Sequence, residues 1–131
     1  MSTEPLSAGA APAPAGAEPP LQSHTLRIAL TPADLPEDGY NQHVNNARFF
    51  AFINQTFQAW GRAMDIRGGI PGEGAMMAHM AYDFLREVSV PGTVSCTLRV
   101  RKVGRSSLEQ AISLWDVSGK APVLAGRGHC V

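Results

Sequence analysis

The chain has no excess of charge of either sign. Its 131 residues hold 11 Lys and Arg against 11 Asp and Glu, and charged residues make up only 17%. A nucleic-acid surface needs a basic stripe, and none is present, so no nucleic-acid partner is expected. Near-zero net charge also leaves self-association unopposed. Cysteine is scarce: Cys96 and Cys130 lie far apart and in no metal-ligand spacing. Free thiols in a reducing compartment are expected, and no metal. Cys130 follows His129, which would suit a thiol nucleophile; a small apolar residue in a terminal strand is the plainer reading. No apolar run is long enough to span a membrane. No GxGxxG or GxxxxGK loop is there to cradle a phosphate.

The first segment, Met1 to His24, lacks Lys and Arg and has almost no large apolar residue. It has neither the apolar stretch of a secretory signal nor the arginines of a mitochondrial presequence, so a cytoplasmic location is expected. It is rich in Ala, Pro and Gly, and its prolines block helix and strand. Residues 1–24 are therefore expected to form a disordered tail. Residues 25–131 are long enough for one domain with one modest core.

Hydrophobic patterning is clear from Thr25 onward. Leu26, Ile28 and Leu30 alternate with Arg27 and Ala29, the period of a half-buried strand. Thr31 to Asn45 holds Pro32, Pro36 and Gly39 and reads as a loop. Phe49, Phe52, Ile53, Phe57, Trp60 and Met64 then recur at helical spacing, with Thr56 and Ala63 filling the stripe. Asn45 or Asn46 suits the N-cap, and Gly68-Gly69 and Pro71 end the element. A strand is expected over AMMAHMAYDFL, with Met76, Ala78, Met80, Tyr82 and Phe84 on one face, then a turn at Pro91-Gly92. TVSCTLRVRKV alternates Val94, Cys96, Leu98 and Val100 with Thr93, Ser95, Thr97, Arg99 and Arg101. Gly104-Arg105 and Ser118-Gly119 mark the turns to two further strands.

Strands joined by turns imply an antiparallel sheet. The polar face of TVSCTLRV implies a sheet covered on one side only. One sheet face and one aromatic helix stripe are the only large apolar surfaces. The expected fold is α+β, with the sheet wrapped around one long central helix.

The helix entrance, Asn41-Gln42-His43-Val44-Asn45-Asn46, resembles the HVNN signature of the hot-dog fold thioesterases that act on acyl-CoA and acyl-carrier protein. It is especially similar to one unit of the plant-type acyl-carrier-protein thioesterases. YDFLREVSVPGTVSCTLRVRKVGRSSLE resembles the family's strand, Pro-Gly turn and VGRSS hairpin. The resemblance runs from Thr25 to Val131. It implies an acyl thioester hydrolase with no cofactor, coenzyme A being part of the substrate. It also implies a homodimer or homotetramer paired edge to edge along the strand around His79 to Leu85, with the active site near that interface. Asn41 and His43 match the motif's catalytic Asn and His. The motif's Asp falls on Gly39, one residue after Asp38, which makes Asp38 the catalytic carboxylate and leaves Asp34 and Glu37 in the same loop as substitutes. Lys102, Arg105 and Ser106 of the KVGRSS hairpin are the coenzyme A contacts implied.

Thioester hydrolysis needs donors for the oxyanion and a base or nucleophile. The helix start at Asn45, Asn46 and Ala47 offers unpaired N–H groups and a positive dipole end. Asp38 would serve as base or nucleophile, His43 would position water or move a proton, and Asn41 would orient the water. Each has a structural rival: helix capping for Asn45 and Asn46, a turn pair for Asp38-Gly39, a loop histidine for His43. His79 suits a core or interface position, Glu73 a solvated loop, and Lys102 and Arg105 solvated hairpin charge. Gly39 in the Asp position also keeps open an alternative, a non-catalytic acyl-CoA-binding module of the same fold.

Overall fold

The structure is a computed structural model, and it describes residues 23–64 and 76–131. The expected tail lies outside them except for Ser23 and His24, which already belong to the first strand. Gly68-Gly69, Pro71 and Glu73 also lie outside the described residues.

Five strands and one long helix make the α+β architecture expected from the patterning. The strands are β1 (Ser23–Leu30), β2 (Met80–Phe84), β3 (Gly92–Val103), β4 (Leu108–Asp116) and β5 (Val123–Cys130), and α1 spans Asn46–Ala63. A short 3-10 turn, Pro32–Asp34, follows β1. All pairings are antiparallel and the sheet order is β1-β3-β4-β5-β2.

That order corrects one expectation. The Pro91-Gly92 turn suggested that the strand before it pairs with the strand after it. Instead β2 pairs with β5 at the far edge, and residues 85–91 cross from one side of the sheet to the other. β2 is also shorter than expected. Ahead of it, Ala78 donates to Val131 at 2.7 Å and Val131 donates to His79 at 2.9 Å, while Met76 is exposed.

α1 begins as its residues dictate. Asn45 is the N-cap, and its side-chain oxygen accepts from the Ala47 N–H at 3.2 Å; Asn46 is the first helical residue. Phe49, Phe52, Ile53, Thr56, Ala59 and Trp60 form the buried face. Ala59 joins that face while Ala63 and Met64 are exposed. Thr56 meets its hydroxyl's need within the helix by donating to the Phe52 carbonyl at 2.8 Å. The helix lies on the inner face of β1 and β3. There Phe52, Ile53, Val94, Cys96, Leu98, Ile112 and Leu114 are almost fully buried. Each of the larger ones contributes about 2 kcal/mol by leaving water.

The outer face is less polar in environment than its sequence suggests. Ser95 is fully buried, with Arg27 and Trp115 as its registered neighbours on either side. Two glycines of β5 hold β2 close. A Cβ at Gly126 would collide with the Tyr82 ring, and one at Gly128 with the Ala81 carbonyl. The tip of the Tyr82 ring thus packs over Gly126, and the ring stacks on Phe49 with centroids 5.9 Å apart and planes at 22°. Among the described residues no helix is long and apolar enough to cross a membrane.

Candidate active site

The loop ahead of α1 is held by three sets of bonds. The first involves Asp34, which is 4% exposed. One carboxylate oxygen accepts from the Thr31 N–H at 2.8 Å and the other from Arg48 Nε at 2.9 Å. Its own carbonyl accepts from the Asn45 N–H at 2.9 Å. Asp34 is thus fully engaged in tying the loop to the helix.

The second set is the turn at Asp38. Its Oδ1 accepts from the N–H groups of Tyr40 (3.1 Å) and Asn41 (2.9 Å). Gly39 has φ +81°, a conformation that side chains disfavour, so the place where the resemblance puts an aspartate is a position built for glycine. Asp38 and Glu37 are exposed and neither lines the cavity described below.

The third set joins the loop to the crossover after β2. Val44 donates to the Val88 carbonyl at 2.8 Å and Val90 donates to Gln42 at 3.2 Å, so His43 and Ser89 form an isolated antiparallel bridge. This zipper brings Glu87 to His43: Nε2 and Oε2 are 3.1 Å apart. Asn41 Oδ1 accepts from the His43 N–H at 2.9 Å and fixes the backbone beneath the imidazole. His43 Nδ1 is buried and has no partner among the described residues.

A cavity of about 420 Å³ opens at this point. Asn41, His43, Asn45, Asn46 and Phe49 line one side, and Phe84, Leu85, Arg86, Glu87 and Val88 the other. It lies at the positive end of α1. In the first turn, Ala47 N–H is taken by the Asn45 side chain and Arg48 N–H by the Asn45 carbonyl at 2.8 Å. Among the described residues no acceptor engages the Asn46 N–H, which leaves it as the donor available to an anion. Arg86, a cationic residue, belongs to the wall opposite.

Sequence reasoning therefore placed Asn41, His43, Asn45 and Asn46 together, and the structure groups them around one cavity. It did not identify Glu87, whose nearness to His43 depends on a pairing between segments distant in the chain. Nothing local in the sequence signals it. Ala47 is not a cavity-lining residue. Lys102, Arg105 and Ser106 stand on the β3–β4 hairpin, by the C-terminal half of α1, well away from His43. Arg105 and Ser106 border a second cavity there, and Lys102 does not. Among the described residues no cluster of three or more His, Cys, Asp or Glu is placed to hold a metal ion.

Comparison with known proteins bears on the family and the fold. Residues 41–123 match the family described as the thioesterase superfamily, a span that includes Asn41, His43, α1 and Glu87. No curated protein matches significantly in sequence. Among solved structures, a Pseudomonas aeruginosa protein provisionally assigned as a thioesterase shares 29% identity with a TM-score of 0.72, covering 82% of this chain and 79% of that one. A 4-hydroxybenzoyl-CoA thioesterase variant bound to 4-hydroxybenzoyl-CoA is 14% identical with a TM-score of 0.67, covering 83% and 81%. A 1,4-dihydroxy-2-naphthoyl-CoA thioesterase from Synechocystis is 14% identical with a TM-score of 0.64, covering 82% and 78%. These last two show the shared hot-dog fold. With the family match extending over most of the chain, the protein belongs to the thioesterase superfamily.

Proposed function

We propose that the chain hydrolyses acyl-CoA thioesters in the cavity at the start of α1, using His43 and Glu87. The observation that carries this reading is the 3.1 Å pairing of His43 Nε2 with Glu87 beside the Asn46 N–H at the start of α1. Glu87 accepts a hydrogen bond from His43 Nε2–H, which fixes its carboxylate on the cavity wall. That carboxylate takes a proton from water as the water oxygen attacks the thioester carbon. The Asn46 N–H and the helix dipole stabilise the oxyanion. The C–S bond then breaks and the thiolate leaves, taking up the proton held on Glu87. Asn41 acts by positioning His43. Asp38 is bound into its own turn and has no part in the chemistry.

The CoA form of substrate fits better than a carrier-protein form because two of the three structures named above are of CoA thioesterases. The cations Lys102 and Arg105, with Ser106, suit the nucleotide phosphates. Two copies of the chain would pair along β2, whose outer edge no described strand covers. Antiparallel pairing of β2 with itself sets the Phe84–Val88 end of one copy beside the Met76–Met80 end of the other. That brings the second copy's β3–β4 hairpin toward the first copy's His43. The engagement of Asp38 in a turn favours the alternative of acyl-CoA binding without hydrolysis, whereas the His43–Glu87 pair favours catalysis.

A thiol-detecting assay over a panel of acyl-CoA esters tests the proposal. Turnover that His43→Ala and Glu87→Gln each lower by ~100-fold or more is the expected result. Tight binding of the esters with no thiol release would select the binding module, and turnover indifferent to both substitutions would sink the mechanism.

A further inference from the structure

His79 and His129 lie side by side on the face of the sheet away from α1. The backbone of His79 carries the β2–β5 ladder one step further. Its N–H donates to the Val131 carbonyl at 3.2 Å, and its carbonyl accepts from the Val131 N–H at 2.9 Å. His129 is two residues before Val131 and is registered with Ala81. Alternation along the strands therefore puts both imidazoles on one face. It is the outer face, because Met80 and Tyr82 pack on the core and Gly128 and Cys130 are buried. The two ring centroids are 5.3 Å apart and the planes are tilted by 34°.

That separation has a chemical meaning. A metal ion ~2.1 Å from one nitrogen of each ring would stand ~3.2 Å from each ring centre, and a tetrahedral angle of ~109° would then set the centres ~5.2 Å apart. The tilt is no obstacle, since each ring can turn about its own metal–nitrogen bond. The surroundings leave room for the remaining ligands. His129 has alanines as registered neighbours on both sides, Ala81 and Ala111. His79 is exposed beside the edge of the sheet. The carboxylates of the same face each have a cationic residue as registered neighbour, Arg127 for Asp83 and Lys102 for Glu109. The imidazoles are thus the ligands left to a cation.

We propose that His79 and His129 together bind a divalent transition-metal cation of the Zn²⁺ type, and that the bound cation fastens the start of β2 to β5. Imidazole suits Zn²⁺ and does not suit Mg²⁺ or Ca²⁺. Two protein ligands, with water completing the shell, make a site that fills and empties with the cation concentration, unlike a resident ion held by three or four side chains. β5 is the only described strand that β2 pairs with, and β2 runs directly into Phe84–Val88, one wall of the first cavity. A cation at His79 and His129 steadies the strand that leads to this wall. The inference uses nothing of the thioesterase reading. No spacing motif shows it, because the two histidines are distant in the chain.

The test uses full-length protein without an affinity tag, so that His24, His43, His79 and His129 are its four histidines. Protein labelled with ¹⁵N-histidine is titrated with ZnCl₂, with MgCl₂ as the control, and the ring resonances are followed, assigned through their backbone correlations. Zn²⁺ should move the His79 and His129 resonances together, saturating at one ion per chain, and Mg²⁺ should move neither. Calorimetry then gives the affinity. His79→Gln and His129→Gln should each weaken binding by ~100-fold or more, since loss of even an outer-shell partner costs ~10–100-fold. The double variant should bind little more weakly than either single one, because one substitution already breaks the chelate. Amide exchange reads the fastening: at ~100 Kd, Zn²⁺ should slow exchange along Met80–Phe84 by ~10-fold or more in the parent protein and leave it unchanged in either variant.

Zn²⁺ that moves one of these rings without the other, or that binds with an affinity both substitutions leave unchanged, overturns the site. Binding with unaltered exchange along β2 overturns the fastening. Both side chains stand on the outer face, so each variant should melt with the cation-free parent. If either fails to fold, the joint movement of the two resonances in the parent protein decides the inference alone.

Discussion

His43 and Glu87 meet across 3.1 Å although one precedes the helix and the other follows β2. Their meeting depends on the bridge between His43 and Ser89, which carries the crossover strand past the helix entrance. Glu87→Gln should keep the hydrogen bond from His43 and remove the carboxylate that takes the proton from water. A drop in kcat of ~100-fold with little change in KM is expected. Steady-state kinetics on an acyl-CoA ester checks it; a change confined to KM would make Glu87 a binding residue only.

Asp38→Asn should retain activity within about 3-fold, because its oxygen serves the Tyr40 and Asn41 amides and an amide oxygen can do the same. Loss of activity comparable to that of His43→Ala would return Asp38 to the chemistry.

Asp34 has a structural role that kinetics alone would misread. Asp34→Ala removes two accepted hydrogen bonds and strands Arg48, which also lies 5.7 Å over the Phe52 ring. A loss of about 2–3 kcal/mol is expected. Urea melts should show it, while activity at low temperature, corrected for folded fraction, survives in part.

Gly126→Ala should destabilise the β2 edge by forcing the Tyr82 ring away from β5. Pairing it with Tyr82→Leu should recover part of the loss, since the obstacle is a side chain. Gly128→Ala faces a backbone carbonyl, and no side-chain change should rescue it. Thermal melts of the set separate the two cases.

Alkaline pH should weaken the fold. Burial raises Cys96 to about 12, from an ordinary 9.0, and Cys130 to about 11. The folded protein then holds thiol protons that the unfolded chain gives up, so stability is full below pH 9 and falls as pH climbs toward 12. Denaturant melts at stepped pH check the direction. Iodoacetamide should correspondingly react slowly with both thiols in the folded state at pH 8.

Elements whose residues answer to their immediate neighbours were legible in the sequence. The Phe49–Trp60 stripe, the alternation along β3 and the Asn45 cap are of this kind, since period and cap chemistry are local. The position of β2 beside β5 was not, because it is decided by Gly126 and Gly128 admitting Tyr82 and Ala81, a fit between distant segments. The site divides the same way. Asn41 and His43 are close in sequence and match a motif. Glu87 reaches His43 only through tertiary pairing, and Asp34 looked like any loop carboxylate until Arg48 folded over it.

The placement of β2 also orders events during synthesis. β2 leaves the ribosome well before β5, yet β5 is the only described strand it pairs with, and Glu87 follows β2 directly. Pairing across such a separation is entropically slow. The helix and the β1, β3 and β4 strands can gather first, with β2 and the crossover waiting unpaired. The β2 edge of the candidate site is thus late to settle on the nascent chain, and a ribosome stalled before β5 would carry His43 and Glu87 with β2 still unpaired.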